Sequence, residues 1–303
     1  MKFVSVLILI CYSFVCEGQV LKALDYPDSL INKRRNSVII TESAGAISSL
    51  FLLNEVWYKK YSSDNFHFFD DGNEWLQVDK IGHAMTSYYL GIAGIEALKW
   101  SGEKKRKAAV WGGSLGLIYL TGVELLDGYS DKWGFSGYDM LANTAGAGLA
   151  ISQNLIWGEQ RIKLKFSTHQ TEYAAYRPNL LGSNFTERIL KDYNGQTYWM
   201  SINIKDFLKK ESHFPSWLNV AIGYGAEELI TANINTDWCL TNNICDDFKR
   251  YRQFYLSFDA DLSKIVYKRK LFKLLFGSFG FLKFPAPTIE LNKNGLKVHL
   301  FYY

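Results

Sequence analysis

The hydrophobic period of this chain changes once, at Gly158, and that change constrains the fold more than any other feature. Upstream, residues 37–61, 79–100, 107–126 and 138–157 are apolar runs of helical length, each interrupted by a few polar residues. Downstream the period is two. Ile162, Leu164 and Phe166 alternate with Arg161, Lys163 and Lys165, and Tyr198, Met200 and Ile202 alternate with Trp199, Ser201 and Asn203. Leu218–Tyr224, Phe254–Leu262 and Leu296–Tyr302 repeat the pattern. A period near 3.6 belongs to helices and a period of two to half-buried strands. Helices followed by strands, rather than alternating with them, predict an α+β chain with an antiparallel sheet. The expected organisation is a polar-studded four-helix bundle over residues 37–158, then an antiparallel sheet or barrel-like domain over 159–303. The five or six strands are too few for a standard closed barrel of about eight.

The N-terminus reads as an export signal. Lys2 precedes the apolar run from Val4 to Val15, and Cys16-Glu17-Gly18 offers small residues at −3 and −1 of a cleavage site. This assigns 1–18 to a signal peptide and 19–36 to a polar lead-in, with Gln19 as the new N-terminus. Neither Cys11 nor Cys16 follows a small residue, so acylation fits poorly. The mature chain then keeps only Cys239 and Cys245, in CLTNNIC, a spacing that predicts a disulfide in an oxidising compartment.

Aromatic residues make up 16% of the chain, which favours a membrane interface. The net charge of +4 is spread thinly, and no basic-aromatic module suggests nucleic acid. Membrane lipid is the expected partner; the sequence names no protein partner and no cofactor. The stretch Lys264–Lys283, KIVYKRKLFKLLFGSFGFLK, reads either as an interfacial amphipathic helix or as a hairpin with a charged turn. Gly112, Gly113, Gly116, Gly122, Gly146 and Gly148 are small positions suited to close helix packing. Glu42, Glu55 and Glu124 would each hinder insertion of the apolar helices, which places an inner-membrane location behind an outer-membrane or periplasmic one.

Three ionisable groups stand in this apolar region. Asp79, Lys80 and His83 form a D-K-x-x-H pattern, with Asp79 and His83 on one helical face. A carboxylate there can fix the imidazole tautomer of a base or ligand. Glu124, with Asp127, ends a very apolar helix, where desolvation raises a carboxyl pKa. Asp139 and Asn143 are again four apart. His83, Glu124 and Asp139 are the candidate catalytic residues; Asp79, Lys80, Asp127 and Asn143 complete a candidate polar cluster. Each has an ordinary reading as well. Asp79 can cap its helix, His83 can be a satisfied core histidine, Glu124 can pair with Lys80 or Lys132, and Asp139 fits an S-x-x-D capping box with Ser136. One histidine is thin for zinc, so no metal site is expected, although His83, Glu124 and Asp139 could converge as ligands.

The chain contains no phosphate loop and no H-E-x-x-H. The stretch from EWLQVDKIGHAMTSYYLG through GVELLDGYSDKWGFSGYDMLANTAGAGLA resembles the YfiM-type predicted periplasmic lipoproteins, a domain of unknown function. It is similar, more distantly, to VanZ-like membrane proteins linked to glycopeptide resistance. The shared pattern is Asp79, Lys80 and His83, then Glu124, then Asp139, Asn143 and Gly146. The resemblance covers less than a third of the chain, lacks a good lipobox here, and implies no reaction. The expected function is that of a bacterial cell-envelope protein, outer-membrane-associated and structural or lipid-interacting. The alternative is a membrane-embedded enzyme acting on a lipid or cell-wall precursor through His83, Glu124 and Asp139.

Overall fold

The protein is α+β, with helices in its N-terminal half and a six-stranded antiparallel sheet in its C-terminal part. Its computed structural model describes residues 26–63, 65–233, 241–242, 248–265 and 279–302. The predicted signal peptide, the Cys239–Cys245 pair and most of the basic stretch 264–283 lie outside these residues. The chain divides into two units: Met1–Gly72 with Gly82–Gln160, and Asn73–Ile81 with Arg161–Tyr303.

In the first unit, α1 spans Asn32–Leu53 and runs on through a wide π turn, Asn54–Tyr58, and a 3-10 turn, Lys59–Tyr61. Helix α2 spans Val78–Trp100, its first residues belonging to the second unit. A π turn, Ala108–Gly112, leads into α3, Leu115–Gly128; α4 spans Gly137–Ile156. Glycines set the helix spacing. A Cβ on Gly91 would lie 2.7 Å from the Gly113 carbonyl oxygen, and one on Gly146 would collide with the Ala84 carbonyl. Gly148 is different: it faces open space, so it takes no part in the close packing its sequence context suggests. This pair gives a clean test. Gly146→Ala should destabilise the unit by about 1–3 kcal/mol, since a backbone carbonyl cannot move aside like a side chain. Gly148→Ala should be neutral or stabilising by up to ~1 kcal/mol through helix propensity. Thermal melts of the two variants check the contrast, and equal losses would contradict it.

Two stretches of this unit, Asn32–Tyr61 and Lys105–Gly128, are long and apolar enough by composition to cross a membrane. Much apolar surface is exposed: Ile40, Ile47 and Phe51 on α1, Trp111 and Ile118 around α3, and Leu141 and Ile156 on α4.

In the second unit the strands are β1 (Ile162–Thr168), β2 (Gln196–Asn203), β3 (Leu218–Glu227), β4 (Tyr251–Ala260), β5 (Ala286–Asn292) and β6 (Gly295–Tyr302), paired in sequence order. Alternation gives every strand two chemically distinct faces, and the registers align them into rows. One row runs Phe166, Tyr198, Tyr224, Phe254, Leu291, Leu296; the next runs Leu164, Met200, Ile222, Leu256, Ile289, Val298. The second row looks outward, with Ile222 53% and Leu256 51% exposed, whereas Tyr198 and Tyr224 of the first row pack against Trp75 and Leu76. The opposite face carries Lys165, Ser201, Asn203, Asn219, Gln253, Asp259 and Glu290, all buried. The sheet is therefore inverted relative to one in water, with polar groups inside.

Curvature makes that interior. Four strand spacings of about 4.8 Å separate β2 from β6 in a flat sheet. Yet the Tyr302 hydroxyl lies 3.0 Å from Thr197 Oγ1 and donates to Tyr255 at 2.9 Å. On the other edge, the Phe166 amide donates to the Phe281 carbonyl at 2.8 Å, and Lys283 N–H donates to Phe166 at 2.9 Å, so β1 is not left bare. Inside, Lys165 meets Asp259 at 2.6 Å and Lys163 meets Asp261 at 2.7 Å. Asp261 is desolvated, which alone would raise its carboxyl, but Lys163 and Ser263 override this and hold it at about 2. Residues 73–81 pack against one end of the sheet. Val78 joins Ala226 and Leu229 in a cluster flanked by Trp75, Tyr198 and Tyr224. To enter it, Trp75, Leu76 and Gln77 take φ of 47°, 48° and 66°, a left-handed turn that strains non-glycine residues.

Candidate functional site

Three helices of the first unit bring His83, Glu124 and Asp139 together. The placement follows from local chemistry. Ser136 caps α4, its hydroxyl accepting from the Asp139 amide at 3.0 Å, which fixes where Asp139 points. The reciprocal bond of the capping box is not made by Asp139. Instead, the Ser136 amide donates to Glu124 Oε2 at 3.1 Å, tying the end of α3 to the start of α4. The Ser136 hydroxyl in turn donates to Asp71. Glu124 is thus clamped while its other oxygen, Oε1, faces His83.

His83 stands between the carboxylates. Its Nδ1 lies 3.9 Å from Glu124 Oε1, and its Nε2 lies 3.8 Å from Asp139 Oδ1. Nδ1 is also 3.3 Å from Asn143 Oδ1. The carboxylate distances exceed ordinary hydrogen-bond reach. Taking one ligand atom from each of His83, Glu124 and Asp139, all three atoms fall within 4.8 Å of one another. Glu124 is 1% exposed, whereas the His83 side chain is 26% exposed, so the imidazole opens the cluster to solvent. Burial, with Asp139 and Asp127 nearby, pushes the Glu124 carboxyl up to about 8, despite the opposing Ser136 amide. A carboxyl in that range beside an imidazole is an acid–base pair; ionised, the same groups are ligands.

The remaining sequence candidates have their own partners. Asp127 accepts from the Tyr58 hydroxyl at 2.8 Å. Lys132, a possible partner for Glu124 from the sequence, lies instead over the rings of Tyr61 and Trp133. Asp79 and Lys80 belong to the second unit, where they form an ion pair at 2.9 Å. Asn143 is fully buried beside His83. Asp71 is the residue that sequence reasoning missed. It follows the exposed Asp70 in an acidic run, yet it is buried and accepts from the Ser136 hydroxyl. Beside the start of α4, Phe68, Phe69, Phe135, Tyr138 and Leu141 line an open aromatic depression.

Residues 66–154 match a family described as predicted periplasmic lipoprotein, a domain of unknown function. The match contains His83, Glu124, Asp139 and Asn143 and covers less than a third of the chain; it stops before β1. No curated protein and no solved structure shows significant similarity to the chain.

Proposed function

We propose that this is an exported cell-envelope protein, associated with the outer membrane, that contacts lipid through the outward face of its sheet. The observation that carries this reading is the inversion of the sheet. In water, apolar side chains turn inward because removing their surface from solvent contributes about 25 cal/mol per Å². Here whole rows of Leu, Ile, Val and Phe face outward, while Lys, Asp, Glu and Asn are buried and hydrogen-bonded. Strands that alternate apolar-out and polar-in are those of proteins whose surroundings are acyl chains. The two ten-residue strands, β3 and β4, have the length a tilted spanning strand needs, about 9–11 residues. The exposed apolar residues of the helical unit suit a lipid neighbourhood, and the periplasmic description of the matched family supports export. That description also says lipoprotein, whereas the residues around Cys16 favour cleavage before Gln19; both readings concern residues outside the described structure.

Separation of inner and outer membranes, followed by blotting, tests the proposal. The protein should sediment with the outer membrane and resist extraction by high salt and alkaline carbonate. Recovery in the soluble periplasmic fraction, or in the inner membrane, would contradict it. One observation favours a second reading, an enzyme acting on a lipid or cell-wall precursor. The imidazole of His83 is accessible while the carboxylates behind it are buried, the arrangement of a base with its orienting groups.

A further inference from the structure

We propose that His83, Glu124 and Asp139 bind one divalent transition cation of the zinc or manganese type. The inference is independent of the lipid-facing sheet, because all three residues lie in the helical unit.

The geometry carries it. Nitrogen and carboxylate ligands bind zinc at about 2.0–2.2 Å, so two ligands on one ion sit roughly 3.3–4.2 Å apart, depending on the angle. An imidazole ligates through one nitrogen, and Nε2 lies 3.8 Å from Asp139 Oδ1, inside this range and beyond hydrogen-bond reach. One ligand atom from each of His83, Glu124 and Asp139 falls within 4.8 Å of the other two. Glu124 supplies a second, separate observation. It is 1% exposed, and its Oε1 makes no hydrogen bond although it is aimed at the imidazole. A buried carboxylate oxygen without a donor is costly, and coordination is one way such an atom is satisfied. The Nδ2 of Asn143, fully buried, likewise makes no hydrogen bond.

Supporting contacts hold the ligand set. With Nδ1 of His83 donating to Asn143 Oδ1, the lone pair is on Nε2, the nitrogen that faces Asp139. The Ser136 amide fixes Glu124 through Oε2, leaving Oε1 for the ion, and the Ser136 hydroxyl anchors the Asp139 turn. Outer contacts of this kind orient metal ligands and set which tautomer binds. One imidazole with two carboxylates suits zinc or manganese, whereas magnesium prefers oxygens and water. The partial exposure of His83 leaves the site an entry path from solvent.

The test uses the full chain in mild detergent, with Cys239→Ser and Cys245→Ser introduced so that thiolates cannot bind the probe. After chelator treatment, calorimetric titration with Zn²⁺ and separately with Mn²⁺ should show one ion per chain, and saturating metal should raise the melting temperature. Mg²⁺ at the same concentrations should give neither signal. Asp139→Asn and Glu124→Gln should weaken binding roughly tenfold or more and abolish the melting shift. Should Glu124→Gln fail to fold, His83→Gln, at the open edge of the cluster, carries the same expectation. Absence of stoichiometric binding to folded protein, or unchanged affinity in the folded variants, would overturn the proposal.

Discussion

Asp259→Ala is expected to destabilise the β unit by roughly 3–5 kcal/mol, the range for leaving a buried charge without its partner. Asp259 lies at the centre of the polar interior. One oxygen accepts from Ser201 at 2.6 Å and meets Lys165 at 2.6 Å; the other accepts from the Phe284 amide at 3.0 Å and lies 4.0 Å from Lys283. Both lysines are buried. Removing the carboxylate leaves two buried ammonium groups with only backbone carbonyls, Ala260 for Lys165 and Phe258 and Phe284 for Lys283, and takes the acceptor from the Phe284 amide. Asp259→Asn keeps the shape and most of the hydrogen bonds, so it should cost less than Asp259→Ala. Equilibrium unfolding in detergent or vesicles checks the order. Equal stability of the alanine variant and the wild type would show that the interior is not a connected network.

The second large effect lies on the opposite face. Leu256 sits in the middle apolar row, with Ile222 and Ile289 as its cross-strand neighbours. In a bilayer, Leu256→Arg should cost about 2–4 kcal/mol near the midplane and sharply reduce the outer-membrane pool. In water the same substitution, at a position 51% exposed, would change stability by no more than about 0.5 kcal/mol and would improve solubility. The two surroundings predict opposite outcomes, so abundance of Leu256→Arg in isolated outer membranes distinguishes them. Ser257→Arg, pointing the other way into a buried position, should be damaging in either setting.

Much of this architecture is legible in the sequence because periodicity is local. Ile162–Phe166, Tyr198–Ile202 and Phe254–Phe258 each announce a strand with two unlike faces. Which face turns inward is not local. It depends on the curl that brings Tyr302 to Thr197 and Tyr255, an interaction between residues far apart in the chain. Strand β5 escapes detection because Pro285 and Pro287 interrupt Ala286–Asn292 at its start and read as a turn. The left-handed turn at Trp75–Gln77 is likewise invisible, since nothing in E-W-L-Q favours positive φ.

The candidate site divides along the same line. Spacings of four place Asp139 and Asn143 on one face of α4, and the capping signal at Ser136 fixes the helix start. The pairing of Glu124 with the Ser136 amide belongs to the approach of two helices and has no local signature. The S-x-x-D signal correctly predicts the Ser136 cap on the Asp139 amide, while the Ser136 amide itself goes to Glu124. The acidic run Asp70-Asp71 illustrates the limit: of two adjacent aspartates one is exposed and the other is buried and meets Ser136.

The central claim is that lipid covers the outward face of the sheet. Photo-crosslinking in intact outer membranes tests it most directly, with a photoreactive residue placed at position 256 in one protein and at 257 in another. Leu256 points outward and Ser257 inward on the same strand, so neighbouring probes share everything except the face. Adducts to acyl chains are expected from position 256 and only intramolecular adducts from position 257. Protein partners or water capture at position 256, without lipid adducts, would contradict it.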